Sequence, residues 1–301
     1  MQQNRRVPRR AVLGGVAGAV GLIPGCLAGA SGAETVSMLA AGSLQNALEN
    51  GLVPTVDARL QVEARGSVEL ARQVAAGQKD PDIVAVADEA LFSSPLSVPW
   101  YATFATNAIV LAYNPETDGG ARLAAAASDE WYRPLVEGRV TLGRTDPDLD
   151  PLGYRTLFAL DLASDHYQTD ADLRAVVPSR DQLYPETQLV SQLETGSIEA
   201  AFVYRNMAVE RDYEFRSLPP AVDLSDPAHA ERYATTSYDL PDGTTVTGDV
   251  IRYAATARRE SRAILDTFDA CVRGSYLAEY GFSVPEVYPQ FTEHAPDGIA
   301  N

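Results

Sequence analysis

Cysteine and histidine are scarce: the 301 residues include 2 Cys and 3 His. Two thiols cannot build a disulfide framework, and Cys26 and Cys271 lie in unlike contexts. His166, His229 and His294 have no second ligand at i+4 or at Cys spacing, which argues against a zinc cluster. Positive charge is also sparse. There are 24 Lys+Arg against 41 Asp+Glu, a formal net charge of −17 with a pI near 4.5. That balance argues against nucleic acid and an acidic membrane surface as partners. Arg is far commoner than Lys, and the surface composition is that of a salt-adapted, strongly hydrated protein. The chain lacks a G-x-x-x-x-G-K-[ST] loop, a G-x-G-x-x-G turn and a G-x-S-x-G elbow, so nucleotide binding and hydrolase chemistry have no motif behind them. No repeat of solenoid period occurs.

What is present is a folded chain, 46% apolar and longer than one hydrophobic core usually fills, so two domains are expected. Residues 1–33 read as a targeting segment. Arg5, Arg6, Arg9 and Arg10 precede the apolar stretch "AVLGGVAGAVGLIPG", which is about right for a signal h-region and short for a membrane span. The pair Arg9-Arg10 resembles a twin-arginine signal, and "LIPGC" resembles a lipobox with Cys26 as the lipidated residue; an uncleaved N-terminal anchor is the alternative. Either reading places the mature chain outside the membrane. "LAGASGA" then serves as a flexible tether.

From residue 35 short apolar strands alternate with helical patterns: "TVSMLAA", "SLQNALENGL", "RLQVEARG", "SVELARQVAAGQ", "DIVAVAD". This is the pattern of an α/β protein with a largely parallel sheet covered by helices. The first two strand-to-helix joints carry Gly42-Ser43 and Gly66-Ser67. Such a joint offers free backbone N–H groups, a helix dipole and a hydroxyl, which together suit an anion, although a Gly-Ser pair by itself is more often a simple cap. In an open α/β sheet both joints fall at one edge and can share a crevice.

"AIVLAY" reads as a strand buried on both faces. Beyond it, "RVTLGR" is a strand and Asp150-Pro151 opens the helix "LGYRTLFALDLA", with Asp as a good cap and Pro favoured in the first turn. Pro185-Glu186 opens "ETQLVSQLETG", and the strand "EAAFVYR" carries Tyr204 near its end. Near the C-terminus, Asp242-Gly243 marks a hairpin turn, and "RRESRAILDTFDACVRGSYLAEYGF" reads as a helix that buries Cys271 as a packed thiol. Four helix starts and one tyrosine thus become candidates for a single cleft.

Taken in order, "LAAGSLQNALE", "ARGSVELARQVAAGQKDPDIVAVAD", "NAIVLAY", "DPLGYR" and "GSIEAAFVYRNMAVERD" resemble the molybdate/tungstate-binding proteins of ABC importers in their archaeal branch. The resemblance continues through "VDLSDPAHAERY" and "GFSVPEVYPQ". It implies a two-lobed type II periplasmic-binding-protein fold, each lobe a mixed, mostly parallel sheet flanked by helices. Lobe 1 would be residues 34–105 and 222–301 and lobe 2 residues 106–221, with crossings near Phe104 to Asn107 and Pro219 to Asp223.

By position in that family, Ser43 and Ser67 would donate hydrogen bonds to the oxyanion and Tyr204 would reach it through its hydroxyl. Asp150 and Glu186 would be its two carboxylates. Leu152 departs from the cysteine that archaeal relatives often carry.

A carboxylate beside a doubly charged oxyanion is normally repulsive. Mo(VI) and W(VI), however, are hard centres that can expand from four to six oxygen ligands, so Asp150 and Glu186 could bind the metal of the ligand itself. Sulfur and phosphorus cannot expand in this way, and sulfate would be rejected. Without the resemblance, both acids read more readily as outward-facing first-turn caps, and Tyr204 reads equally as a packed lobe-surface aromatic. Arg155 and Arg205 read as structural, because fixed backbone donors and hydroxyls suffice for an oxyanion and an unpaired buried arginine is costly.

The expectation is therefore a monomeric, exported, lipid-anchored receptor with no enzymatic activity and no cofactor. It would bind molybdate or tungstate and deliver it to a membrane permease. The alternatives are a receptor for another tetrahedral oxyanion such as sulfate, and a surface hydrolase using Ser43 or Ser67.

Overall fold

In the computed structural model residues 33–179, 182–296 and 299 are described. The leader, with Arg9-Arg10 and Cys26, lies outside them. The strands are β1 (Thr35–Ala41), β2 (Arg59–Arg65), β3 (Ile83–Val86), β4 (Ala102–Thr106), β5 (Ile109–Tyr113), β6 (Leu142–Gly143), β7 (Ala200–Tyr204), β8 (Glu214–Ser217), β9 (Ser237–Asp239), β10 (Thr245–Thr247), β11 (Arg252–Ala257) and β12 (Gln290–Phe291). The helices are α1 (Ser67–Ala75), α2 (Asp118–Ala125), α3 (Arg133–Val136), α4 (Pro151–Tyr167), α5 (Leu173–Val176), α6 (Glu186–Glu194), α7 (Arg205–Val209), α8 (Ala230–Tyr233), α9 (Arg262–Arg273) and α10 (Tyr276–Glu279).

Two sheets organise the body. The first has the order β12-β4-β11-β3-β1-β2, the second β6-β7-β5-β8, and β9 and β10 form a separate hairpin. In the first sheet β1 pairs parallel with β2 and β3, whereas β11 runs antiparallel between β3 and β4 and β12 antiparallel to β4. Strands β1 to β4 therefore point one way and only β11 and β12 the other. In the second sheet β5 alone is reversed, antiparallel to both β7 and β8, while β6 and β7 are parallel. Both sheets are thus mixed, with three parallel and five antiparallel pairings between them, and β3, β5 and β7 are buried along their whole length, as continuous apolar runs require.

The chain leaves the first sheet after Thr106, enters the second at Ile109, and rejoins the first at β11. The outgoing and returning stretches lie side by side, for the Ile109 N–H donates to the Asp223 carbonyl at 2.9 Å. Next to this crossing, the Asn107 amide donates to Asn206 Oδ1 at 2.8 Å, tying it to the start of α7. Ala33–Asn301 hang together as one compact unit.

Two helices differ from the sequence expectation. Residues 42–55 wind as a 3₁₀ turn (Gly42–Leu44), a π-helical segment (Ala47–Leu52) and a second 3₁₀ turn (Val53–Thr55). Pro54 has no N–H for an i−4 carbonyl, and Gly51 backs onto Tyr276, where a Cβ would lie 2.6 Å from a ring carbon. The C-terminal helix is broken into α9 and α10 at Gly274, whose backbone is extended (φ −64°, ψ 130°) and lies too close to the Tyr276 ring to carry a Cβ. The hairpin forms with Gly243 at φ +84°, and Cys271 is buried in the apolar face of α9.

Candidate functional site

Helix α4 starts as its sequence dictates. Pro151 takes the first helical position, and the extended Asp150 caps it by accepting the Leu152 N–H on Oδ1 at 2.6 Å. Asp150 is nonetheless only 3% exposed, and its other oxygen, Oδ2, has no partner. Helix α6 starts at Glu186 after Pro185; Glu186 is also 3% exposed and its Oε1 is also unpartnered.

The fold presses these two carboxyls together. Burial pushes Asp150 up to about 6, opposed by its contacts with Glu186 and the Leu152 N–H. Burial and then the negative charge of Asp150 push Glu186 well above the usual carboxylate range, opposed by the hydroxyl and N–H of Ser43. They line a cavity of about 210 Å³ with Gly66, Thr145, Leu149 and Pro185.

Both Gly-Ser joints abut this pair, each on a different acid. A Cβ on Gly42 would lie 2.5 Å from Glu186 Oε2, and one on Gly66 would lie 3.2 Å from Asp150 Oδ2 and 2.5 Å from the Leu149 carbonyl oxygen. At Gly66, where the atom met is backbone, glycine is needed for the close approach and not for backbone conformation. The Glu69 N–H adds a bond to the Leu149 carbonyl at 3.1 Å.

The serines do not cap their helices. The capping positions are held by Ala41 and Gly66, without side-chain bonds, and each serine lies inside the first turn. Ser43 Oγ accepts from the Tyr253 hydroxyl at 2.9 Å, and the Ser43 carbonyl accepts from the Asn206 amide at 2.8 Å. Ser67 Oγ accepts the Ala87 N–H at 3.1 Å, leaving its own proton to be donated. Neither hydroxyl bonds a histidine among the described residues, so both lack the base a hydrolase would need.

Tyr204 ends β7, fully buried, and its hydroxyl accepts from Arg155 Nη1 at 2.8 Å. Arg155, the fifth residue of α4, also donates to the Ala87 carbonyl at 2.6 Å and pairs with Asp88 at 3.3 Å. It is buried and fully partnered, so the cost attached to an unpaired arginine does not arise. Arg205 instead points to the Gly281 carbonyl at 3.3 Å.

Sequence reasoning missed Tyr253, Asn206, Asp88 and Thr145. Thr145 is completely buried with an unpartnered hydroxyl in the wall of the same cavity. Tyr253 lies on β11, whose placement beside β3 follows from the return crossing and has no local signal. Asp88 ends the strand pattern "DIVAVAD", the one place where a polar residue closing an apolar run pointed to it. Among the described residues no group of three or more His, Cys, Asp or Glu is arranged to hold a metal ion.

Two buried helix starts that set an unpartnered oxygen of Asp150 and of Glu186, with the unpartnered Thr145 hydroxyl, in the wall of one small cavity suit a binding protein for a small solute. Residues 39–266 match the family model for bacterial extracellular solute-binding proteins, and the chain belongs to that family. A protein of Haloferax volcanii, provisionally named as an ABC transporter molybdenum-binding protein, is 54% identical over 98% of this chain and 96% of its own. A molybdate/tungstate-binding protein of Pyrococcus abyssi is 30% identical over 80% of this chain and 81% of its own. The family resemblance read from the sequence is thereby borne out. The periplasmic molybdate-binding protein of Azotobacter vinelandii shares the fold, with TM-score 0.54 and 14% identity over 83% of this chain and 100% of that one. The chain is a solute-binding protein of an extracellular family and not an enzyme.

Proposed function

We propose that this protein captures molybdate or tungstate where Ser43, Ser67, Asp150, Glu186 and Tyr204 converge, and presents it to an ABC permease. The observation that carries this is the buried pair Asp150 and Glu186, each with one unpartnered oxygen. Two abutting carboxyls repel a sulfate-like anion, yet they supply the fifth and sixth oxygen ligands that a hexavalent molybdenum or tungsten centre can accept. The Ser43 and Ser67 hydroxyls and the Tyr204 hydroxyl then hold the oxo groups. The relatives named for these ions support the same reading.

In this reading residues 34–105 with 222–301 form one lobe and 106–221 the other. They close about the crossing stretches at Asn107 and Asp223 by a hinge motion. The protein acts as a monomer with no cofactor. It is exported by the twin-arginine route and lipid-anchored at Cys26, and its acidic surface is an adaptation to high salt.

Calorimetric titration of the whole protein with molybdate, tungstate, sulfate and phosphate tests the proposal. Molybdate and tungstate should bind and sulfate should not. Sulfate binding as tightly as tungstate would contradict coordination of the metal by the carboxylates. Glu186→Gln should weaken tungstate binding roughly 100-fold, the loss expected for a buried charged contact. A residual sulfate affinity that falls in parallel would show that the carboxylate does not touch the metal.

A further inference from the structure

The Tyr204 hydroxyl has one lone pair committed to Arg155 Nη1 at 2.8 Å. A guanidinium offers only donors, so the phenolic proton cannot point back along that bond. Among the described residues none accepts that proton. Tyr204 packs edge-on against Tyr253 with ring centroids 5.8 Å apart, the Tyr253 hydroxyl donates to Ser43 Oγ at 2.9 Å, and the neighbouring Gly42 abuts Glu186, so Tyr204 belongs to the cluster around the carboxylate pair. Arg155 itself cannot swing away. The Ala87 carbonyl accepts from the same Nη1 at 2.6 Å, and Asp88, which also accepts from the Tyr154 hydroxyl at 2.5 Å, pairs with Nη2 at 3.3 Å.

From this geometry we infer that Arg155 is a positioning residue for ligand binding: it fixes Tyr204 as an obligatory hydrogen-bond donor aimed at an oxo group of the bound oxyanion. A hydroxyl that accepts from a cation is also a stronger donor, because the bonds polarise one another. The arrangement gives the site one directed, charge-assisted donor without bringing the guanidinium into contact with the anion. Lysine could not reproduce it. A single ammonium on a flexible stem lacks the planar fork that reaches Ala87, Asp88 and Tyr204 together.

The inference rests on the proposal that Tyr204 faces a molybdate or tungstate ion, and a double-mutant cycle separates the two. Tungstate affinity is measured by calorimetry for the wild type, Arg155→Lys, Tyr204→Phe and the double variant. The wild type must bind; no binding at all overturns the functional reading itself. Arg155→Lys should weaken binding roughly 10-fold in the wild-type background and less than about 2-fold in the Tyr204→Phe background. Equal losses in both backgrounds would mean that Arg155 acts independently of Tyr204, and would overturn the positioning role while leaving the functional reading intact. If Arg155→Lys does not fold, Asp88→Asn carries the same cycle, because it keeps the guanidinium but removes its anchoring carboxylate. A loss from Asp88→Asn that persists unchanged in the Tyr204→Phe background overturns the proposal equally.

Discussion

A methyl group on Gly66 would sit 2.5 Å from the Leu149 carbonyl oxygen, and backbone cannot step aside as a side-chain tip can. Gly42 differs, since the atom its Cβ would meet is Oε2 of Glu186, the end of a flexible side chain. Gly66 has φ −57° and ψ 134°, a conformation alanine adopts freely, so its cost is contact and not backbone strain. Gly66 follows β2 of the first sheet, whereas Leu149 leads from β6 of the second into α4. Gly66→Ala should therefore lower the melting temperature of the empty protein and also weaken tungstate binding by roughly 10-fold or more, by holding the two sides apart. Calorimetry paired with thermal unfolding checks this, and a variant that melts far lower while binding normally would place the contact in the fold and not in closure.

At the scale of elements, α9 is the clearest case of sequence dictating packing. Ile264, Phe268, Cys271 and Val272 fall on one buried face, and burial pushes the Cys271 thiol up to about 12. With Cys26 replaced by alanine, a thiol reagent should react with Cys271 only as fast as α9 undocks or the protein unfolds, so labelling rises sharply with denaturant. Rapid labelling of the native protein would show that α9 is loosely held. The starts of α4 and α6 were equally legible, because Asp-Pro and Pro-Glu at the head of an apolar periodicity are local signals. The 42–55 segment was not. Its choice of 3₁₀ and π winding depends on Gly51 meeting Tyr276, a contact with a residue far along the chain. The same holds within the site: Asp150 and Glu186 were visible from their helix starts, but the Tyr253 bond to Ser43 exists only because β11 is inserted antiparallel between β3 and β4.

For the whole molecule, the buried acids make stability depend on pH in a definite direction. Burial raises Asp150 to about 6 and, against the pull of Arg211, raises Glu210 to about 7. In the unfolded chain such groups titrate near 4, so between about pH 4 and about pH 7 the folded state holds protons the unfolded state has lost. Their stabilisation is complete below the unfolded value and disappears as pH rises through the folded values. Two other acids work the opposite way. Burial raises Asp82, but the Ser37 hydroxyl and N–H with Arg259 outweigh it, and burial of Glu199 is outweighed by the Thr141 and Gly119 N–H groups, so both titrate below the usual range and lose their stabilisation in stronger acid. The empty protein should thus melt higher at about pH 5 than at about pH 8 and lose stability again below about pH 4. Asp150→Asn and Glu210→Gln should each flatten the rise, which separates these groups from relief of the overall −17 charge. Ligand inverts the trend. Tungstate whose metal is ligated by both carboxylates requires Asp150 and Glu186 ionised, so it must expel the protons that stabilise the empty site. The melting-temperature increase caused by tungstate should accordingly be larger at about pH 8 than at about pH 6, and proton release should accompany binding at the lower value. A tungstate shift of the same size at both pH values, with no proton release, would mean that the two carboxyls remain protonated beside the anion and act as hydrogen-bond donors to its oxygens instead of ligands to its metal.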